Sequence, residues 1–295
     1  MAWPIRRFAE YRVGKVDGPS SESSPRRGEN GTQENVCFGR ESQTGTGVPA
    51  RTRTSSLGPV RGLVSGKRLR MMAFIAAESR EFSGLERHLS GLERLSRPLD
   101  YAVAGKLRGQ AVVLAANGPG PRLAGIAVDL LDAGPVSAFV STGFCGALAP
   151  RLNSCDIFVG TSVNGAPLQL PRHSPRGMSH GPLLSMDRVI TTVDEKRHLH
   201  SSTGADAVEM EAAGVAKRAG AAPFYCVRVV TDTAEEALPL DFNQLRNPEG
   251  RFSRAKIVGQ VLRRPFPLMS QLIQLDRRCR SAAFALGEFL ADCQF

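Results

Sequence analysis

From residue 71 onward, short apolar runs alternate with segments of helical spacing, and this alternation limits the folds open to the chain. Apolar runs of strand length occupy residues 73–77, 101–104, 111–116, 136–141, 156–163, 182–190, 205–208 and 224–230. Between them, residues 122–133, 193–201 and 209–219 have patterns typical of helices, and the first of these is predicted to end at residues 134–135. Strands that alternate with helices of this length form a largely parallel sheet covered on both faces. We therefore predict an α/β fold with a mixed, largely parallel central sheet flanked by helices.

Three further segments carry more specific predictions. Residues 78–89 are predicted to form a helix, because Phe82 and Leu85 share one face at helical spacing. Residues 142–147 follow a buried strand and are predicted to be a loop. Residues 252–295 have the apolar periodicity of two or three amphipathic helices, which we expect to pack on the outside of the domain as a helical C-terminal extension.

The first 70 residues differ in composition from the rest of the chain. The formal charge is +10 for all 295 residues, and residues 1–70 carry a net +7 of it, which leaves only +3 for residues 71–295. The leading segment is rich in Ser, Gly, Arg and Thr and has no sustained hydrophobic period. We predict a disordered basic tail over residues 1–70 that is dispensable in the mature protein, and one domain over residues 71–295.

Charge and cysteine usage limit the partners that we expect. Because the basic excess belongs to the tail, nucleic-acid binding by the domain is not predicted, and binding through the tail is the least favoured of the functions considered. The six cysteines form no CxxC pair and no metal-ligand spacing, so we expect reduced thiols, no metal and no organic cofactor. No stretch approaches the roughly 18 apolar residues of a membrane span, and we expect a soluble cytoplasmic protein.

Acidic residues follow two of the apolar runs. Glu209 and Glu211 come directly after the run 205–208, and Asp232 ends the run 224–230. Buried carboxylates cost several kcal/mol unless something partners them. Polar residues at the carboxyl ends of parallel strands form the ligand crevice of α/β sheets, so we predict a binding site there.

Five segments together resemble the purine nucleoside phosphorylase and methylthioadenosine/S-adenosylhomocysteine nucleosidase superfamily. They are Ala77-Glu78-Ser79-Arg80-Glu81, Asn117-Gly118-Pro119-Gly120, residues 141–148, residues 207–212 (Ala-Val-Glu-Met-Glu-Ala) and residues 229–234 (Val-Val-Thr-Asp-Thr-Ala). The likeness extends from about residue 72 to residue 245 and does not include the tail. It implies cleavage of the N-glycosidic bond of a purine nucleoside, adenine being the expected base, and a homo-oligomer.

The resemblance also implies roles for individual residues. Asp232 matches the acid that protonates or hydrogen-bonds the purine at N7, and Glu211 matches the carboxylate that accepts hydrogen bonds from the ribose hydroxyls. Met210 matches the thioether packed on the sugar, and Glu81 the carboxylate that positions the attacking water in nucleosidases. The loop that holds base and ribose in relatives corresponds to Gly143, Phe144, Cys145 and Gly146. The aromatic residue that stacks on adenine in many relatives corresponds to Val189.

Each of these residues also has a structural interpretation. Asp232 can cap the turn after its strand, Glu211 can be stabilised by the start of a helix, and Glu81 can be a solvated surface charge. Glu209 is expected to pair with Arg228, because a guanidinium inside an apolar strand requires a partner.

Phosphorolysis and hydrolysis both remain open at the level of sequence. Phosphorylases of this superfamily hold phosphate with an arginine and a hydroxyl at positions that correspond here to Ser141 and Phe144. Arg80 and Arg122 are the candidates to replace that arginine and to hold inorganic phosphate as co-substrate. The short connection between residues 163 and 182, with the helical C-terminus, resembles the hopanoid-associated phosphorylase type. The alternative from another class is a noncatalytic nucleoside-binding or sensing module with the same fold.

Overall fold

The computed structural model describes residues 71–131, 136–172, 177–263, 266 and 268–295. The predictions for the tail over residues 1–70, and for the helix end at residues 134–135, lie outside the described residues.

Within the described residues, ten strands form one sheet, and five α-helices accompany it. The strands are β1 (Met71–Ala76), β2 (Leu89–Arg94), β3 (Tyr101–Leu107), β4 (Gln110–Ala116), β5 (Val136–Ala147), β6 (Ile157–Val163), β7 (Ala166–Pro167), β8 (Ser179–Ser185), β9 (Ala207–Glu209) and β10 (Phe224–Asp232). The helices are α1 (Pro121–Leu131), α2 (Val193–Thr203), α3 (Ala212–Ala219), α4 (Arg254–Arg263) and α5 (Leu268–Asp292). This arrangement confirms the predicted α/β fold and its mixed central sheet.

Strand β5 lies at the centre of the sheet. It pairs in parallel with β1 on one side and with β10 on the other, and its last residues pair antiparallel with β9. The pairings of β10 with β6, of β6 with β8 and of β8 with β9 close a ring of five strands that includes β5. Because β1, β5 and β10 run in the same direction, the polar residues that follow them lie at one edge of the sheet.

The two faces of the sheet are covered by different helices. On one face, α1 and α3 cross closely at Gly214, where an added Cβ would lie 1.9 Å from the carbonyl oxygen of Pro121. The absence of a side chain at Gly214 permits this close approach. On the other face, α5 buries Leu286, Phe289 and Leu290 in the core.

The predicted helical C-terminal extension is present, and α5 packs against the domain through one buried face. Its buried face covers one side of the sheet, because Gly287 lets the helix backbone approach residues 84 and 85: a Cβ there would lie 2.1 Å from the carbonyl carbon of Gly84. Among the residues that the structure describes, no helix combines the length and the apolar character needed to cross a membrane.

The prediction of one helix over residues 78–89 was also wrong. The segment forms two 3-10 turns, Ser79–Phe82 and Leu85–His88, and Leu89 then begins β2. Phe82 and Leu85 are fully buried in the core that α5 covers. A regular helix would not keep this contact, since the backbone at Gly84 lies so close to α5 that an added Cβ would be 2.4 Å from the carbonyl oxygen of Ala283.

Residues 142–147 are not a loop but the end of β5. They stay in the sheet because β10 pairs with residues 142–146, with Arg228 opposite Gly143 and Asp232 opposite Gly146, and β9 pairs with Ala147. Gly143 has φ of 130°, a backbone conformation that a side chain would strain. Two boundaries also differ from prediction: the strand predicted over 182–190 is β8 (Ser179–Ser185), and the helix predicted from residue 209 begins at Ala212.

Candidate active site

A buried ion-pair cluster joins the end of β9 to the middle of β10. Arg228 has no exposed surface, and its guanidinium contacts the carboxylates of Glu209 and Glu211, the latter with Nη1 3.2 Å from Oε2. The same guanidinium donates to the Thr142 carbonyl oxygen at 2.9 Å and to Ser141 Oγ at 2.6 Å. The predicted pairing of Glu209 with Arg228 is therefore present.

The two glutamates of this cluster have different surroundings. Glu209 accepts hydrogen bonds from the backbone N–H groups of Glu211 and Ala212, at the start of α3, so its charge is met from two sides. Glu211 accepts one backbone hydrogen bond, from Gly120 at 3.1 Å, in the turn between β4 and α1. The charge of Glu209 is therefore met by more hydrogen-bond donors than that of Glu211.

Glu81 is buried beside the central strand. Its side chain follows β1 in the first 3-10 turn, and the whole residue is 5% exposed. Oε2 accepts from the Glu78 backbone N–H at 2.8 Å, and Oε1 accepts from the Phe144 backbone N–H at 2.9 Å. The interpretation of Glu81 as a solvated surface charge does not fit this burial.

Asp232 ends β10 and is held on both of its carboxylate oxygens. Lys196 Nζ lies 2.5 Å from Oδ2, and the Thr231 hydroxyl lies 3.0 Å from Oδ1. Gly146 lies directly beside the carboxylate, since an added Cβ there would be 2.9 Å from Oδ2. Asp232 also lines an open cavity of about 270 Å³ whose other walls include Gln271 and Gln274 of α5. Glu81 and Glu211 are not part of its lining.

One short segment of β5 brings these carboxyl groups together. At Gly143, an added Cβ would lie 2.6 Å from Glu81 Oε1 and 3.1 Å from Arg228 Nη1, whereas Gly146 borders Asp232. Three residues of strand span roughly 10 Å, so Glu81 and Asp232 lie at the two ends of a stretch of nucleoside length. The glycines are required, because a side chain at either position would occupy the space of a carboxylate.

Burial shifts the proton affinity of three carboxyl groups in the same direction. Burial raises the pKa of Glu81, and the N–H groups of Glu78 and Phe144 partly oppose it. Burial raises the pKa of Asp232 as well, opposed by Lys196 and Thr231. For Glu211, burial and the neighbouring carboxylates of Glu209 and Glu81 raise the pKa to about 8, although Arg228 opposes them. Shifted pKa values in several neighbouring carboxyl groups are common at acid–base sites.

The sequence matches the model of a known protein family. The family model described as the phosphorylase superfamily matches residues 72–176 and 169–263, which together are more than half of the chain. The chain belongs to the phosphorylase superfamily. This confirms the resemblance drawn from the five sequence segments.

Solved structures agree with this superfamily assignment in their fold. The 5′-methylthioadenosine/S-adenosylhomocysteine nucleosidase from Neisseria meningitidis is 20% identical, with TM-score 0.56, over 76% of this chain and 98% of that one. The same nucleosidase from Helicobacter pylori is 18% identical, with TM-score 0.54, over 76% and 97%. Futalosine hydrolase from Helicobacter pylori is 17% identical, with TM-score 0.54, over 75% and 96%. At these identities the likeness establishes the fold. No curated protein matches this chain by sequence.

The two arginines proposed for phosphate in this superfamily member have other contacts. Arg80 pairs with Glu78 at 2.6 Å, has a side chain 46% exposed and lies over the Phe144 ring at 5.6 Å. Arg122 is exposed and donates to the backbone carbonyl of Glu249. Among the described residues, neither arginine hydrogen-bonds or forms an ion pair with Glu81, Glu211 or Asp232, although Arg80 is near enough to Glu81 for their charges to interact.

The remaining predicted residues lie near the site or in the core. Met210 is buried between Glu209 and Glu211, and Cys145 is buried with its carbonyl 3.2 Å from the Thr231 hydroxyl. Phe144 is partly buried and packs against the core beneath α5. Val189 is half-buried in the connection after β8, where the Asn243 amide bonds both its N–H and its carbonyl.

Sequence reasoning missed Lys196. The sequence predicts only that it lies in the helix over residues 193–201. In the structure it is fully buried and contacts Asp232. A signal was available: Lys196 lies three residues after Val193 and three before Leu199, so it falls on the only apolar face of α2.

Proposed function

We propose that this protein hydrolyses the N-glycosidic bond of a purine nucleoside, with adenine as the base. In this proposal Asp232 is the acid at the purine, Glu211 binds the ribose hydroxyls and Glu81 orients the attacking water. Superfamily membership and the fold shared with nucleosidases support cleavage of a nucleoside.

The position of Glu81 is the observation that favours hydrolysis over phosphorolysis. In phosphorylases that the sequence resembles, phosphate lies against the turn after the first strand and a group just after the glycine that corresponds to Gly143. Here the Phe144 N–H, and the Glu78 N–H in that turn, both donate to the buried Glu81 carboxyl. A phosphate dianion would have to displace this group or lie beside it, and two like charges repel strongly in a desolvated site.

The chemistry of the bond explains why the acid and the base lie apart. As the C1′–N9 bond breaks, its electron pair goes to the purine, and a proton from Asp232 at N7 makes the base a better leaving group. The sugar becomes oxocarbenium-like, as in glycoside hydrolysis, and Glu211 stabilises it through the ribose hydroxyls. Water then bonds to C1′ and gives its proton to Glu81, whose carboxylate is a stronger base than an exposed one because burial raises its pKa.

The test is adenine release from methylthioadenosine, S-adenosylhomocysteine, adenosine and inosine, with and without inorganic phosphate. We expect release that does not require phosphate and yields the free sugar. Asp232→Asn is expected to lower kcat/KM by about 10²-fold to 10⁴-fold, the usual contribution of a placed proton donor. Glu81→Gln is expected to lower kcat by a similar factor, since it removes the base.

Asp194→Asn is the matched control, because Asp194 has a side chain 93% exposed on α2. Release that requires phosphate and yields the sugar phosphate would refute hydrolysis and favour a phosphate site near Arg80. Binding of a nucleoside in calorimetry with no release from any substrate would refute catalysis and favour the nucleoside-binding module.

A further inference from the structure

We propose that Lys196 gives the two oxygens of Asp232 different tasks: its ammonium holds Oδ2 as an acceptor, and Oδ1 carries the proton that goes to the leaving base. This inference rests on the proposed function for the use of that proton. The protonation state of the Asp232 carboxyl group can be measured in the protein without substrate. Lys196 is a positioning residue, because its contacts leave it no donor for a substrate.

The first step concerns the hydrogen-bond partners of the Lys196 ammonium group. Lys196 Nζ lies 2.5 Å from Asp232 Oδ2, 2.6 Å from the Thr233 carbonyl oxygen and 2.8 Å from the Glu236 carbonyl oxygen. An ammonium has three N–H donors, and all three have an acceptor here. A neutral amine has only two N–H donors and would leave one of these buried oxygens without a hydrogen bond. The contacts therefore fit a charged lysine.

The second step concerns Oδ2. A proton on this oxygen would point at the N–H of the ammonium, which needs a lone pair there. Gly146 borders this oxygen, since a Cβ added there would lie 2.9 Å from Oδ2. Protonation at Oδ2 is excluded as long as Lys196 is present.

The third step concerns Oδ1, which has a partner that serves both protonation states. Thr231 Oγ1 lies 3.0 Å from Oδ1 and 3.2 Å from the Cys145 carbonyl oxygen, and a hydroxyl has one proton to donate. When Asp232 is ionised, the hydroxyl donates to Oδ1. When Oδ1 is protonated, it donates to Oγ1 and the hydroxyl turns to the Cys145 carbonyl. The proton can reside on Oδ1 without displacing a heavy atom.

The charges around Asp232 determine in which direction its pKa would change if Lys196 were removed. Lys196 faces it from α2, the Cys145 thiol lies on β5, and Glu236 follows in the next turn, where Arg278 of α5 pairs with it at 2.8 Å. Burial raises the pKa of Asp232, and Lys196 is the strongest of the groups that lower it. Without Lys196 the carboxyl would hold its proton more tightly and would be a weaker acid.

The experiment compares Lys196→Met with Arg197→Met. Methionine has a similar length without the charge, and Arg197 is the next residue on the same helix, with a side chain 73% exposed. The pH titration of the Asp232 carboxyl carbon is followed by ¹³C NMR, and the signal is assigned by its absence in Asp232→Asn. The pH profile of kcat/KM for adenine release from methylthioadenosine is measured in parallel.

We expect the Asp232 midpoint and the alkaline limb of the profile to move to higher pH in Lys196→Met, and kcat/KM to fall by about 10-fold to 100-fold. Arg197→Met should leave both unchanged. A folded Lys196→Met with an unchanged midpoint would overturn the proposal, since a lysine that only ties α2 to the sheet affects stability alone.

A second variant keeps the test decisive if Lys196→Met does not fold. Thr231→Val removes the partner of Oδ1 and keeps the shape of the side chain, so the midpoint is expected to rise in this variant too. An unchanged midpoint would show that the Thr231 hydroxyl does not donate to the ionised Oδ1 and would refute the exchange of hydrogen bonds on which the assignment of the proton to Oδ1 rests. Absence of base release from the wild type would count against the proposed function, and the NMR result would still decide the role of Lys196.

Discussion

Glu211 is predicted to make the protein less stable as the pH rises through neutrality. Two buried carboxyl groups, Glu209 and Glu211, share the buried guanidinium of Arg228, and Glu209 also accepts hydrogen bonds from the backbone N–H groups of Glu211 and Ala212. Burial, together with the neighbouring carboxylates of Glu209 and Glu81, raises the pKa of Glu211 from 4.5 to about 8. In the unfolded chain the Glu211 carboxyl group has its ordinary pKa of 4.5.

The sign and size of the effect follow from linkage. Between pH 4.5 and about pH 8 the folded state holds a proton that the unfolded state has lost. The stability that this proton provides is fully present below the unfolded pKa and is lost as the pH rises through the folded pKa. At about 1.4 kcal/mol per pH unit, Glu211 should reduce the free energy of unfolding by about 2 kcal/mol between roughly pH 6.5 and roughly pH 8.5.

The assay is urea unfolding at these two pH values for the wild type, Glu211→Gln and Glu236→Gln. The Gln variant at 211 cannot titrate, so its free energy of unfolding should fall by about 2 kcal/mol less than that of the wild type. Glu236→Gln is the matched control. Burial tends to raise the pKa of Glu236, but the Thr233 N–H and Arg278 outweigh it and lower the pKa, so this group is ionised throughout the window. Equal slopes for the wild type and Glu211→Gln would refute the reasoning.

Two further predictions concern stability. Arg228→Met should lower the free energy of unfolding by about 3–5 kcal/mol, because it leaves the buried Glu209 carboxylate without its partner; a loss below about 1 kcal/mol in urea unfolding would contradict the role of the ion pair. Gly214→Ala should cost about 1–3 kcal/mol, since the new methyl group would collide with Pro121, whereas Gly259→Ala in α4 has nothing within 4 Å and should gain about 0.5–1 kcal/mol. Equal thermal midpoints for the two glycine variants would show that α1 and α3 can separate freely.

The elements that sequence predicted correctly are those with a strong local signal. The apolar runs that became β1, β4 and β10 are buried along nearly their whole length, so their composition alone marks them as central strands. The helix α1 has a wide apolar stripe and begins after a Gly-Pro turn, and it was predicted for those reasons.

The predictions that failed depended on contacts between distant parts of the chain. Residues 78–89 have helical spacing, yet the approach of α5 to Gly84 favours two short turns and a strand. Residues 142–147 contain two glycines and were predicted to be a loop, but the hydrogen bonds available along β10 keep them in the sheet. Local propensity cannot report a partner that lies more than 80 residues away in sequence.

The sequence by itself determined the superfamily, the fold class and the types of residue at the site, because these depend on apolar periodicity and on short motifs. The tertiary structure alone decided which carboxyl groups are buried, which share Arg228 and which face a cation. Lys196 shows the difference: in the sequence it is one charge in a charged helix, and in the fold its ammonium lies 2.5 Å from Asp232. The physical reason is that the proton affinity of a carboxyl group depends on burial and on charges brought from other elements, which only the folded chain specifies.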